Sequence, residues 1–288
     1  MARPPDAAGG RRPNGTSLSH SEEQLEVFAR WEREAWETRA APYVRGLTRL
    51  TSGAVVPLLD AAGVDARTRV LDVATGPGLV AAAARDRGAG VVAVDQSRAM
   101  AGFAHTTGLP VVVAGAERLP FAGDAFDAVV AGFLLNHLAR PPETVVELAR
   151  VCRNRIALSV WAGPHVNVSL GLFGEVVESL GLPDVVPPGP ESDRYASDER
   201  LVGLLRGCGL RRVHVTRASW TVTVEPGAWF DDVAAGTPRT GAVLAAAPDE
   251  VRAELRARYV EVATERYGDG AGPVTLPAAA VVVSGDVA

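Results

Sequence analysis

The sequence predicts an α/β fold, a doubly wound and mostly parallel sheet of seven strands, from three observations. Between Arg69 and Trp161, short apolar runs alternate with helix-forming runs, the rhythm of successive βαβ units. The apolar runs are nearly continuous Val and Ala, as expected of strands covered on both faces. A glycine turn, Thr75-Gly76-Pro77-Gly78, follows the first run, where such sheets open their ligand crevice.

Taken in order, residues 1–18 are rich in Arg, Pro and Gly with no apolar stretch, and are expected to be a disordered tail and not a signal peptide. Ser19 with Glu22, and Ser21 with Gln24, both fit the helix capping box. They start an N-terminal helical arm over residues 19–63. Its first helix groups Leu25, Phe28, Trp31 and Ala35 on one face, and a second run spans Ala41 to Leu59. The main domain is expected over residues 64–286. Strand Val70–Ala74 leads into helix Leu79–Arg87, then strand Gly90–Asp95, helix Ser97–Thr107 and strand Pro110–Ala114. Strand Phe126–Phe133, helix Pro141–Val151 and strand Arg155–Trp161 follow. Beyond them come helix Leu170–Leu180, a proline-rich loop Pro183–Pro190, helix Asp198–Cys208 and the alternating strand Arg211–Val224. Helices Ala228–Gly236 and Pro248–Tyr267 form an excursion before the last strand, Gly270–Val283. Cap insertions are therefore expected at about residues 164–200 and 226–270, shaping a lid or an oligomer contact such as a homodimer.

Composition narrows the chemistry. Of 288 residues 47% are hydrophobic and 22% charged, enough to build a core. The net charge is −5, which disfavours nucleic acid as a main partner. All 29 basic residues are Arg, so a lysine Schiff base and a P-loop are excluded. Two cysteines, Cys152 and Cys208, make neither a disulfide framework nor a zinc site. No run reaches the about 20 apolar residues of a membrane span, so no membrane role is expected and the cytoplasm is the default.

The glycine turn lets the backbone approach a ligand and opens the N-terminus of the next helix to an anion. Asp95, at the end of the second strand, can accept hydrogen bonds from both hydroxyls of a ribose. Gly76-x-Gly78-x-x-Ala81 also fits a dinucleotide fingerprint, so the turn alone leaves a nicotinamide oxidoreductase open.

Two further motifs follow in register: Val94-Asp95-Gln96-Ser97, and Gly115-Ala116-Glu117-Arg118-Leu119-Pro120-Phe121. Together with Val70-Leu71-Asp72-Val73-Ala74-Thr75-Gly76-Pro77-Gly78 they make the chain resemble the class I S-adenosylmethionine-dependent methyltransferases, in the small-molecule branch similar to ubiquinone and menaquinone methyltransferases. The resemblance is strongest from Tyr43 to Trp161 and implies a Rossmann-like methyltransferase fold, with S-adenosyl-L-methionine as cofactor and a small-molecule acceptor. It implies that the turn Ala74, Gly76, Gly78 passes the methionine part, that Asp72 orders the amino end, and that Asp95 holds the ribose. Gln96 and Met100 would border the adenine, and Ala116 and Glu117 would read its edge. Ala131, Gly132 and Phe133 would lie beside the methyl group, and Tyr43 would close over the cofactor. The chain departs from the family pattern at Ala74 for the first glycine, at Gly115 for an aspartate, and at Cys152-Arg153-Asn154-Arg155 for a proline and glycines.

Methyl transfer is an in-line displacement that depends largely on positioning, and needs a base only when the acceptor must lose a proton. His137 and His165 each follow a strand end by four residues, and His137 is the first candidate for base or substrate orienter. Trp31, Trp36, Trp161, Trp220 and Trp229 are candidates for aromatic walls, though each also suits ordinary packing. Asp231-Asp232 lacks a partner at ligand spacing, so no metal is expected. The implied activity is methyl transfer in specialised, natural-product metabolism. A non-methylating cyclisation or rearrangement on the same fold is the alternative, and nicotinamide chemistry a minor one.

Overall fold

The structure, a computed structural model, describes residues 20–179, 185–190, 194–270 and 272–288. The tail expected over residues 1–18 lies outside them.

The arm is one long helix, α1 (Glu22–Gly46), followed by a single turn, α2 (Thr48–Thr51), and then α3 (Val55–Ala62). Ser21 and Gln24 make the reciprocal capping box at its start. The expected second run from Ala41 is instead divided at Gly46, and α1 continues through Pro42. Proline removes one helical hydrogen bond, but on either side of Pro42 α1 packs against the helix Pro226–Gly236, with Arg39 on Ala234, Gly236 against Tyr43 and Asp232 against Gly46, so tertiary packing overrides the local break. α3 ends at Gly63, whose left-handed φ of 69° suits glycine alone at no cost.

The core alternates as expected: β1 (Arg69–Val73), α4 (Leu79–Asp86), β2 (Gly90–Asp95), α5 (Arg98–Thr106), β3 (Val111–Val113), β4 (Phe126–Gly132), α6 (Pro141–Val151) and β5 (Cys152–Trp161). β5 begins at Cys152, three residues before the expected Arg155, because the chain passes from α6 into the strand with no loop. α7 (Val168–Ser179), α8 (Asp198–Gly207), β6 (Arg211–Val224), α9 (Pro226–Gly236), α10 (Pro238–Ala246), α11 (Asp249–Tyr267) and β7 (Val274–Asp286) complete the chain. α10 was not legible as a helix: a Thr-Pro pair opens it, and its small residues carry little periodicity. The last strand is shifted from the expected Gly270–Val283 because glycines at 270 and 272, both at positive φ, keep the approach irregular.

The seven strands lie in the order β3-β2-β1-β4-β5-β7-β6, with β7 antiparallel to both its neighbours. α6 and α8 cover one face through Val145, Leu148, Leu201 and Leu205, while α3 and α4 cover the other through Leu58, Leu59 and Ala84. β6 and β7 run on past the end of β5, pairing Val222 with Leu276 and Val224 with Val274. That extension carries a second apolar cluster with α7, α9 and α11, centred on the buried Trp229, Phe173, Phe230 and Tyr259. The sheet's carboxyl edge is thereby roofed by the arm on one side and this cap on the other.

Candidate active site

The turn after β1 reverses the chain through three left-handed residues, Ala74 (φ 55°), Gly76 (φ 56°) and Gly78 (φ 90°). Its anchor is Asp72, buried at 1% exposure, whose Oδ2 accepts hydrogen bonds from Thr75 Oγ1 (2.6 Å) and the Ala81 N–H (2.9 Å). Burial pushes the Asp72 carboxyl up to about 7, against the pull of those two donors. Its other oxygen, Oδ1, is buried without a hydrogen-bond partner, and Asp72 lines a small recess with Thr75, Pro77 and Ser159.

Asp95 closes β2. Its Oδ2 accepts from the Gly76 N–H (2.8 Å) and its Oδ1 from the Ser97 N–H (2.9 Å), which ties the glycine turn to the start of α5. Burial raises its carboxyl to about 6, the two backbone donors oppose that shift, and the charge of Glu37 adds to it. Glu37 reaches across from α1 to accept from Ser97 Oγ (2.7 Å) and the Ala99 N–H (3.3 Å). The arm thus caps α5 with a charge favourable to the helix N-terminus.

These groups open into one cavity of about 500 Å³ at the carboxyl edge. Tyr43, Ala74, Gly76, Asp95, Gln96, Met100, Ala116, Glu117, Gly132, Phe133 and His137 all line it, so eleven of the fourteen predicted site residues meet in a single space. Asp72 reaches only the adjoining recess, which shares Tyr43, Ala74, Gly76, Gly132 and Phe133 with the main cavity. Two others, Ala131 and Gly78, line neither space. Ala131 is fully buried because β4 is covered on both faces, with Ala131 in the cluster under α6 and α8 and Val130 in the one under α3 and α4. Gly78 faces Ala104 and Leu109, where an added Cβ would come within 3.2 and 3.0 Å, so it serves helix packing and not the cavity wall.

Around the opening, Phe133 (φ 58°) stacks on Trp161 with centroids 3.8 Å apart. Tyr43 donates to Thr51 Oγ1 (3.3 Å) and meets Trp36 edge-on at 5.5 Å. The Glu117 carboxylate lies 2.8 Å from where a Cβ on Gly115 would stand, occupying the space that an aspartate side chain at 115 would enter. His137, on the turn after β4, presents Nδ1 to Glu32 Oε2 at 3.0 Å and its ring edge-on to Trp36 at 5.0 Å. His165 is exposed and does not line the cavity, although Gly163, Pro164 and Asn167 of the same segment do. Of the tryptophans, Trp36 and Trp161 line the space, whereas Trp31 and Trp220 do not and Trp229 is buried in the cap. Asp231 pairs with Arg256 (2.9 Å) and Asp232 with Arg49 (2.9 Å). Sequence reasoning missed Glu32, Glu37 and Arg239, since a charged residue on an amphipathic helix reads as solvated until its tertiary neighbours are known, and Thr51, an ordinary helix residue until Tyr43 is placed against it.

An acceptor carboxylate at the end of β2, a backbone turn beside it and a largely apolar chamber beyond can hold a nucleoside and present a second molecule to it. Residues 71–158 match the protein family described as a methyltransferase domain. The chain is 32% identical over 146 residues to the demethylmenaquinone methyltransferase of Beutenbergia cavernae, covering 49% of this chain and 61% of that one. It is 37% identical over 119 residues to the biotin biosynthesis bifunctional protein BioHC of Cellvibrio japonicus, covering 40% of this chain and 23% of that protein. The chain thus spans less than two thirds of either relative. Among solved structures it superimposes on a candidate methyltransferase from an antibiotic biosynthesis pathway of Anabaena variabilis, with a TM-score of 0.55 and 16% identity, covering 79% of this chain and 95% of that one.

Proposed function

From a chain whose residues 71–158 match a methyltransferase domain, we propose that the whole protein is a class I S-adenosylmethionine-dependent methyltransferase that transfers a methyl group to a small-molecule acceptor, as a cytoplasmic enzyme of specialised metabolism. One observation carries this: a buried carboxylate at the β2 end, tied to the glycine turn, at the head of a 500 Å³ chamber.

The residues present fit the cofactor. Asp72 Oδ1, buried and without a hydrogen-bond partner, suits the ammonium of a methionine portion. Asp95 keeps lone pairs for ribose hydroxyls, and Glu117 stands beside Gly115 where the adenine amino group needs an acceptor. Gln96, Met100 and Ala116 would form walls for the adenine, and Tyr43 with Thr51 would cover the sulfonium end. When bound, S-adenosylmethionine supplies a methyl group activated by its sulfonium charge. The chain orients the acceptor against it between Trp36, Phe133 and Trp161, excludes water with the arm and cap, and takes any released proton at His137. The specialised-metabolism element rests on the likeness to the Anabaena protein, and the small-molecule element on the quinone methyltransferase relative.

Ultraviolet cross-linking with methyl-labelled S-adenosylmethionine tests the assignment. Label on the protein, displaced by S-adenosylhomocysteine and untouched by NADH, is expected. Displacement by NADH alone would point to the nicotinamide alternative.

A further inference from the structure

Glu32 has no part in the cofactor site just described, yet it is among the most deeply buried charged groups of the chain, at 1% exposure. A buried carboxylate is costly unless donors surround it. Here Oε2 lies 3.0 Å from His137 Nδ1, and Oε1 lies 3.7 Å from Arg239 Nε with no hydrogen bond of its own. Three separate parts of the fold meet at this point. α1 brings Phe28, Glu32 and Trp36 along one face at four-residue spacing, the turn after β4 brings His137, and α10 brings Arg239. Phe28 packs under the Arg239 guanidinium at 5.1 Å, and Trp36 holds the imidazole edge-on.

The chemistry of the pair follows from its geometry. A carboxylate only accepts, so His137 must carry its proton on Nδ1, and Nε2 is then the basic nitrogen of the neutral ring. Nε2 makes no hydrogen bond among the described residues, and the imidazole borders the cavity. We propose that Glu32 is a positioning residue that fixes His137 as a general base acting through Nε2, and that the acceptor is a flat, largely apolar molecule methylated on a hydroxyl. This rests on the methyltransferase reading above. As the acceptor oxygen forms its bond to the methyl carbon, its O–H proton passes to Nε2, and the carbon–sulfur bond breaks with its electron pair left on sulfur. Glu32 stabilises the resulting imidazolium, as the carboxylate does in a hydrolase triad. Trp36, Phe133 and Trp161 offer the flat walls, and the exposed Arg33 at the rim adds a cation for an electron-rich acceptor.

The test is two-bond proton–nitrogen NMR on protein labelled with 15N-histidine, with S-adenosylhomocysteine present and His137 assigned by the His137→Gln variant. The neutral ring is expected to show Nδ1 protonated and Nε2 bare, and Glu32→Leu is expected to reverse the tautomer. A wild-type ring protonated at Nε2 overturns the proposal, whether or not the Glu32 variant folds. In a second arm, S-adenosylhomocysteine release is followed with a panel of small phenols. Glu32→Leu should lower kcat at least tenfold with an unchanged KM for S-adenosylmethionine, whereas a rate within twofold of wild type removes Glu32 from the mechanism. A wild-type protein that binds S-adenosylhomocysteine but methylates none of the phenols overturns the hydroxyl assignment. Failure to bind S-adenosylhomocysteine at all defeats the methyltransferase reading itself.

Discussion

On the proposed function, two carboxylates, Asp72 and Asp95, would connect protein stability to cofactor binding. Both are held above the ordinary value near 3.8 by burial, to about 7 and about 6. A raised carboxyl binds its proton more tightly when folded, so its contribution to stability is complete below pH 3.8 and is lost as pH rises through 6 and 7. Asp72→Asn has no charge to bury, and should gain stability relative to wild type as pH is raised across that window, by a few kcal/mol, in urea unfolding at pH 4 and pH 8. A constant difference would show that Asp72 does not titrate there. Cofactor affinity should move the other way. Ionised Asp95 and Asp72 are the stronger acceptors for hydroxyl and ammonium donors, so S-adenosylhomocysteine binding should strengthen from about pH 5 to pH 8 in calorimetry. An affinity that falls over that range would argue against both contacts. At Gly115, where the methyltransferases the sequence resembles carry an aspartate, the Glu117 carboxylate lies 2.8 Å from the place of a Cβ, and we propose that it takes over that contact.

The glycine turn and the arm are the elements on which the site depends. Gly76 and Gly78 read alike in the sequence, but nothing stands within 4 Å of a Cβ on Gly76, while one on Gly78 would meet Leu109 and Ala104. Gly76→Ala should therefore cost only the left-handed backbone term, about 1–2 kcal/mol. Gly78→Ala should cost that and a repacking of α4 against α5, and so show the larger drop in thermal or urea stability. Equal losses would mean that the close approach is not felt. The elements of the sheet were legible because buried parallel strands write continuous Val and Ala runs, and β2, α6 and β6 fall on the residues the pattern names. The arm's break at Gly46, the passage of α1 through Pro42, and α10 were not, because each is decided by packing between elements distant in sequence. The full burial of Ala131 was not legible either, because it depends on helices covering both faces of β4.

Across the whole molecule, the arm, the sheet edge and the cap close one chamber, and each contributes polar groups that the others complete. Glu37 of the arm caps α5 beside Asp95, Arg39 donates to the carbonyls of Ala234 and Ala235 in α9, and Arg49 pairs with Asp232. The three motifs that meet at the cavity were readable because they are local sequence on the core strands, whereas the Glu32–His137 pair joins residues 105 positions apart. Calorimetric titration of S-adenosylhomocysteine into the wild-type protein and into Asp95→Ala tests the central assignment most directly. Micromolar binding is expected for wild type, with a loss of about 1.5–3 kcal/mol in the variant, the range for hydrogen bonds to a charged group. Equal affinity in the two proteins, or no binding by a folded wild type, would contradict the placement of the cofactor at the end of β2.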